Sequence, residues 1–191
     1  MKSLIIAERP ADGSSSFVPP GSWQSRSVSQ KQDGAPVQVT MFIDVLSVKE
    51  NATDIRCLLK KDQHGLWNIT SWPVRVAANN SPVTSTVTGS RVYPLDEGLK
   101  ICGLSVEEIL SVKKKCLEFL TLFLEALETE FGPFGEIGID LAVDKNYNLW
   151  YLECNANPAK TATKIAGTEE EKRLSLVYPL RYARYLAGFE K

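Results

Sequence analysis

The fold turns on residues 136–158, EIGIDLAVDKNYNLWYLECNANP. Side chains alternate along a strand, so Ile137, Ile139, Leu141 and Val143 share one face while Glu136, Gly138, Asp140 and Ala142 share the other. In the second run Trp150, Leu152 and Cys154 form the apolar set, and Tyr151, Glu153 and Asn155 point away. Packing requires the two apolar faces to coincide. A hairpin loop over residues 145–148 meets that condition and sets Asp140 opposite Glu153. Opposed Cβ atoms lie about 4.5–5.5 Å apart. Carboxylates that close repel each other unless a proton or a cation lies between them. Asn155 adds a neutral oxygen on the same face. Two carboxylates and an amide oxygen suit Mg2+ or Mn2+, hard ions that take oxygen ligands. A solvated sheet face with incidental acids is the other reading of the pattern. Glu136, at the strand's start, is a weaker candidate ligand.

Before the hairpin comes the strongest helix signal. Ser105-Val-Glu-Glu108 is a capping box, in which hydroxyl and carboxylate each bond the other residue's backbone N–H. Val106, Ile109, Leu110, Cys116, Leu117, Leu120, Phe123, Leu124 and Leu127 form an apolar stripe behind it. Gly132-Pro133 ends the helix near Phe131. After the hairpin, residues 157–168 read as a polar loop, and the acids of EEEK begin a last helix running to about Ala187. Upstream, residues 1–37 are rich in Ser, Gly, Pro and Gln and read as poorly ordered. Residues 38–48 alternate like a strand. DIRCLLKK and LWNITSWPVRVAA read as two further strands joined by the turn DQHG, and VTSTV as a short strand in a loop. Strands, a long helix, a hairpin and a closing helix give an α+β fold, mostly antiparallel sheet packed against the long helix.

The chain has 191 residues, enough for one domain of ordinary size. Net charge is −1, so no global field attracts nucleic acid or an acidic membrane. No apolar run reaches the roughly 18 residues of a membrane span. The start MKSLIIAERP has too short an apolar run for a signal peptide, which places the protein in the cytoplasm. Cys57, Cys102, Cys116 and Cys154 lack CxxC spacing and read as buried free thiols. His64, the single histidine, reads as a solvated turn residue.

GIDLAVDKNYNLWYLECNANP resembles the metal-binding hairpin of the ATP-grasp superfamily: an acid on one strand, then E-x-N on the next, then a loop containing Pro. Asp140, Glu153 and Asn155 match the three ligand positions. The D-x-R strand holding Asp54 and Arg56, and the later Arg75, are similar to the strands that line the phosphate and substrate cleft. EIGID with the ending LSLVYPLRYARYLAGF is similar to the YheC/YheD branch, endospore-coat-associated proteins. The resemblance spans roughly residues 38–190. It implies the C-terminal part of an ATP-grasp module, with ATP and Mg2+ (or Mn2+) as cofactors. It implies an acyl-phosphate route joining a small-molecule or peptide carboxylate to an amine or thiol. Asp140, Glu153 and Asn155 would then hold metal, and Arg56 and Arg75 phosphate or substrate carboxylate. Residues 1–37 contain Lys2 and Lys31 but no strand–Gly-rich-loop–strand unit, so the ATP-clamping subdomain would come from a second chain. The alternative is a degenerate, non-catalytic protein that binds metal or nucleotide, or a spore-associated structural component.

Overall fold

The computed structural model describes residues 28–32, 35–39, 43–79, 81 and 83–189. The expectation for residues 1–27 lies outside them. Strands β1 (Val28–Gln32) and β2 (Ala35–Val39) form an antiparallel ribbon. Strand structure therefore begins ten residues before Gln38, inside the segment whose composition suggests a loop.

A mixed-order antiparallel sheet is built around one long strand, β4 (Asn51–Lys61). A short β3 (Ser47–Val48) pairs with its start. Along one edge β4 meets β5 (Trp67–Ser71) and then β6 (Val74–Val76). The sequence suggests a single strand here. It is split because Pro73 has no N–H for the ladder, although its carbonyl still accepts from the Arg56 N–H at 3.0 Å. β7 (Arg91–Tyr93) extends the sheet beyond β6. On the other side of β4 lie β8 (Glu136–Val143) and β9 (Leu149–Asn155), giving the order β7-β6-β4-β8-β9. The short strand expected in VTSTV is instead a 3-10 turn, Thr86–Thr88.

Four helices complete the described residues: α1 (Leu95–Ile101), α2 (Val106–Phe131), α3 (Thr161–Ala166) and α4 (Glu169–Leu186). α2 carries the expected capping box at Ser105 and ends at Gly132, whose φ of 82° suits glycine. Val112, Cys116, Phe119, Leu120 and Leu124 join Ile55, Cys57, Leu59, Ile137, Ile139 and Leu141 in one core. Val106, Leu110 and Leu117, assigned to the stripe from sequence, are exposed. They lie on the flank of a stripe centred on 109, 112, 116, 120 and 124, whose spacing of three or four keeps one helix face. α3 occupies part of the stretch that reads as loop. Its six residues carry too short a pattern to show a period. α4 begins at a second capping box, Thr168 with Glu171. The other side of the sheet near the hairpin turn carries a smaller apolar cluster, Ile43, Val45, Ala52 and Ala142, with Trp150 and Leu152 against it.

Candidate metal and phosphate site

The β8–β9 register sets Asp140 opposite Glu153 and Gly138 opposite Asn155. The route differs from the simple hairpin. Val143 pairs with Leu149 and Leu141 with Tyr151, so near the turn Leu149 and Tyr151, not Trp150 and Leu152, face the long helix. Tyr151 packs there with its ring tilted against both phenyl groups, 5.0 Å from Phe123 and 6.1 Å from Phe119. Leu152 is then taken up by a register shift between the Asp140 and Leu141 pairs. A bulge sets two residues against one and reverses the alternation beyond it. Without it Leu152 would face Asp140, and Glu153 would turn toward the core beside Ile139.

The turn is fixed by Asp144. One of its oxygens accepts from the N–H groups of Asn146 and Asn148, at 2.8 and 2.9 Å. The other accepts from Asn148 Nδ2 and Trp150 Nε1, at 3.0 and 2.9 Å. Burial alone would raise this carboxyl, but the donors more than reverse that and hold it below the usual range.

Strand order brings two arginines to Asp140. Arg56 pairs with Asp140 across β4–β8, and Arg75 with Asp54 across β6–β4. Arg75 donates from Nε to Asp54 Oδ1 at 2.7 Å and from Nη2 to Asp54 Oδ2, and also from Nη2 to Asp140 Oδ2 at 2.8 Å. The Thr84 hydroxyl donates to the same Asp54 carboxylate. Arg56 Nε stands 2.8 Å from Asp140 Oδ1. Its N–H is not aligned on that oxygen, which is buried without a hydrogen bond despite its charged neighbour. Burial pushes the Asp54 and Asp140 carboxyls up, opposed by the guanidiniums. Burial would lower Arg75, and its two carboxylate partners raise it instead.

Asp140 and Glu153 therefore stand together as expected from sequence, with Glu153 and Asn155 exposed and Asp140 buried. Asn155 Oδ1 accepts from the Asn157 N–H at 2.8 Å and keeps one lone pair. Arg56 and Arg75 also converge, but on Asp140 itself. Arg75 is buried in its ion pairs, whereas Arg56 keeps part of its side chain in solvent. Glu136 stands apart, paired with Lys60 and with Lys160 at 3.1 Å. Thr84 went unnoticed in the sequence because a Ser/Thr-rich loop does not mark which hydroxyl will reach Asp54. Gly138 permits the closing loop to cross the site: a Cβ there would lie 2.6 Å from Pro158 Cβ and 3.1 Å from Arg56 Nη1. Of the thiols, Cys57 and Cys116 are buried and Cys102 half-buried, while Cys154 is exposed, against expectation, because β9 is an edge strand. His64 lies in an exposed turn.

The donor set fits a hard divalent cation. Asp54, Asp140 and Glu153 against Arg56 and Arg75 leave one negative charge uncompensated. Asp140 Oδ1 is an orphaned acceptor beside it. Among the described residues no three His, Cys or acidic side chains gather as a ready cage, so the cation would rest on Asp140, Glu153 and the Asn155 amide.

Residues 23–186 match the family described as YheC/D like ATP-grasp. The chain belongs to that family. It is 26% identical over 145 residues to endospore coat-associated protein YheD of Bacillus subtilis (strain 168), covering 76% of this chain and 31% of YheD. It is 21% identical over 150 residues to endospore coat-associated protein YheC of the same organism, covering 76% of this chain and 39% of YheC. The chain thus spans between three and four tenths of the length of these curated relatives. The solved structure of N5-carboxyaminoimidazole ribonucleotide synthetase from Thermotoga maritima superposes with a TM-score of 0.43 at 13% identity, covering 77% of this chain and 32% of that one. No helix among the described residues is long and apolar enough to cross a membrane.

Proposed function

We propose that this chain is the metal- and phosphate-handling part of an ATP- and Mg2+-dependent carboxylate–amine (or thiol) ligase. The carrying observation is Asp140: buried, opposite Glu153, held by two arginines, and left with an oxygen that accepts no hydrogen bond. Its family supports the reaction class. ATP with its divalent cation supplies the phosphoryl group that activates a carboxylate as an acyl phosphate. On the protein side, Asp140, Glu153 and Asn155 hold the cation. Arg56, with donors still free on its guanidinium, holds a phosphate or substrate carboxylate. Arg75 orients Asp140 from its pair with Asp54. The ATP-clamping subdomain lies outside the residues that match here, and the relatives' printed names support association with the spore coat.

The arginine pair supports a second reading. Arg56 and Arg75 already offset much of the acidic charge, so the cluster holds together without ligand, as a non-catalytic, metal-binding spore component would require. Mn2+ binding, followed by electron paramagnetic resonance with and without ATP, separates the two. The ligase reading expects tighter Mn2+ binding when ATP is present. It also expects binding to weaken at least about tenfold in Glu153→Gln, whose exposed side chain leaves folding intact. Mn2+ binding that ATP does not improve selects the non-catalytic reading. Equal Mn2+ affinity in wild type and Glu153→Gln removes the metal site altogether.

A further inference from the structure

Glu136, the acid that stands apart from the cluster, holds an ammonium on each of its two oxygens. Lys60, its partner across β4–β8, takes Oε2, and Lys160 takes Oε1 at 3.1 Å. Lys60 is fully buried, so its charge depends on Glu136. That pair is already neutral. Lys160 adds a second positive charge beside Lys60, and its side chain is 30% exposed, enough to turn to water instead. Charge balance therefore does not require Lys160 here. The chain that carries it gives the reason.

Residues 156–159 run from the end of β9 to Lys160. Asn155 pairs with Gly138, and Glu136 lies one step back on the same face of β8. The span thus passes over Gly138, between the Glu136 ion pairs and Asp140. Pro158 is buried there, while 156, 157 and 159 are exposed. Among the described residues no backbone–backbone hydrogen bond joins 157–159 to the sheet. The span is fastened by the Asn157 N–H on Asn155 Oδ1, by Pro158 seated on Gly138, and by the Lys160 ion pair. Pro158 and Arg56 Nη1 border the same space above Gly138, and Arg56 Nε stands 2.8 Å from Asp140 Oδ1.

We propose that Lys160 is a positioning residue. Pinned by Glu136 and, through it, by Lys60, it holds Pro158 down on Gly138 and against the Arg56 guanidinium, and so sets that guanidinium beside Asp140. The inference rests on the metal- and phosphate-handling reading for its effect on cation affinity; the placing of Arg56 does not depend on that reading.

The test uses the full chain without nucleotide. The Arg56 Nε–H resonance is recorded without metal, and Mn2+ affinity is measured separately by electron paramagnetic resonance. Lys160→Met should move the resonance and weaken Mn2+ binding about tenfold. Lys160→Arg, which keeps the charge, should restore both. The fold should survive Lys160→Met because the Lys60–Glu136 pair stays intact, and unchanged amide spectra of β4 and β8 would report it. Lys164→Met, at an exposed position of α3, should change neither readout. An unmoved resonance, equal Mn2+ affinity in wild type and Lys160→Met, failure of arginine to rescue, or equal effects from Lys164→Met overturn the proposal. A wild-type chain that binds no Mn2+ removes the metal site instead, and the Arg56 resonance then decides the role of Lys160 by itself.

Discussion

At the scale of single residues, the site depends on an atom that is missing. Gly138 carries no side chain, and Pro158 and Arg56 close over the space. Gly138→Ala should push Pro158 or the Arg56 guanidinium aside, costing about 1–3 kcal/mol in a urea titration. Displacing either group alters the surroundings of Asp140, so Mn2+ affinity should change in the same variant; unchanged stability and affinity would mean the loop adapts without strain. The acid pair was legible in sequence because Asp140 and Glu153 lie in one hairpin, where alternation alone places them. The arginines were harder. Their convergence on Asp140 requires β4 to lie between β6 and β8, a non-local order that no local pattern encodes. The break at Pro73 lets β6 bring Arg75 beside Asp54. Nothing in LWNITSWPVRVAA distinguishes a buried clamp from a substrate-binding arginine.

At the scale of elements, both long helices could be found from their ends, because a capping box is a local chemical fact. The β8–β9 hairpin was found for partly different reasons. Its Asp140–Glu153 pairing follows from a four-residue loop in a regular ladder, or from a tighter turn followed by a bulge at Leu152, and the molecule uses the second. Leu152 gives no local sign of a bulge, since neither Gly nor Pro marks it. The tighter turn makes Asp144 decisive. Asp144→Ala leaves two N–H groups, an amide and an indole without their acceptor, and should cost about 2–4 kcal/mol. The pH dependence has a definite sign. The folded carboxyl is held below its ordinary value, so its contribution is present above the unfolded pKa of about 3.9 and disappears as pH falls through the lower folded value. Wild-type stability should therefore decline below about pH 4 more steeply than that of Asp144→Ala. Parallel acid profiles would contradict this account.

At the scale of the whole molecule, the closing helix is fastened at one corner. Lys61 pairs with Glu128 of α2 at 2.5 Å and lies over the rings of Trp67 and Tyr182, 5.2 and 5.5 Å from their centroids. Tyr182 is buried, stacks with Tyr185 and packs against Gly135. One lysine thus connects β4, β5, α2 and α4. Tyr182→Ala should cost about 3–5 kcal/mol and speed amide exchange throughout α4, while the β4–β8 amides lose only the protection that the lower global stability explains. If α4 exchange keeps pace with the sheet, the helix is held elsewhere.

The uneven exposure of the four cysteines has a practical consequence. Burial raises the Cys57 and Cys102 thiols and pushes Cys116 up to about 12, so few of their thiolates exist near neutrality. Cys154 is exposed, one residue from both Glu153 and Asn155. A maleimide fluorophore should therefore modify Cys154 first, giving one adduct by mass spectrometry without any engineered handle. The native sequence thereby accepts an optical reporter between two candidate ligands, and quenching by paramagnetic Mn2+ would register cation arrival in real time.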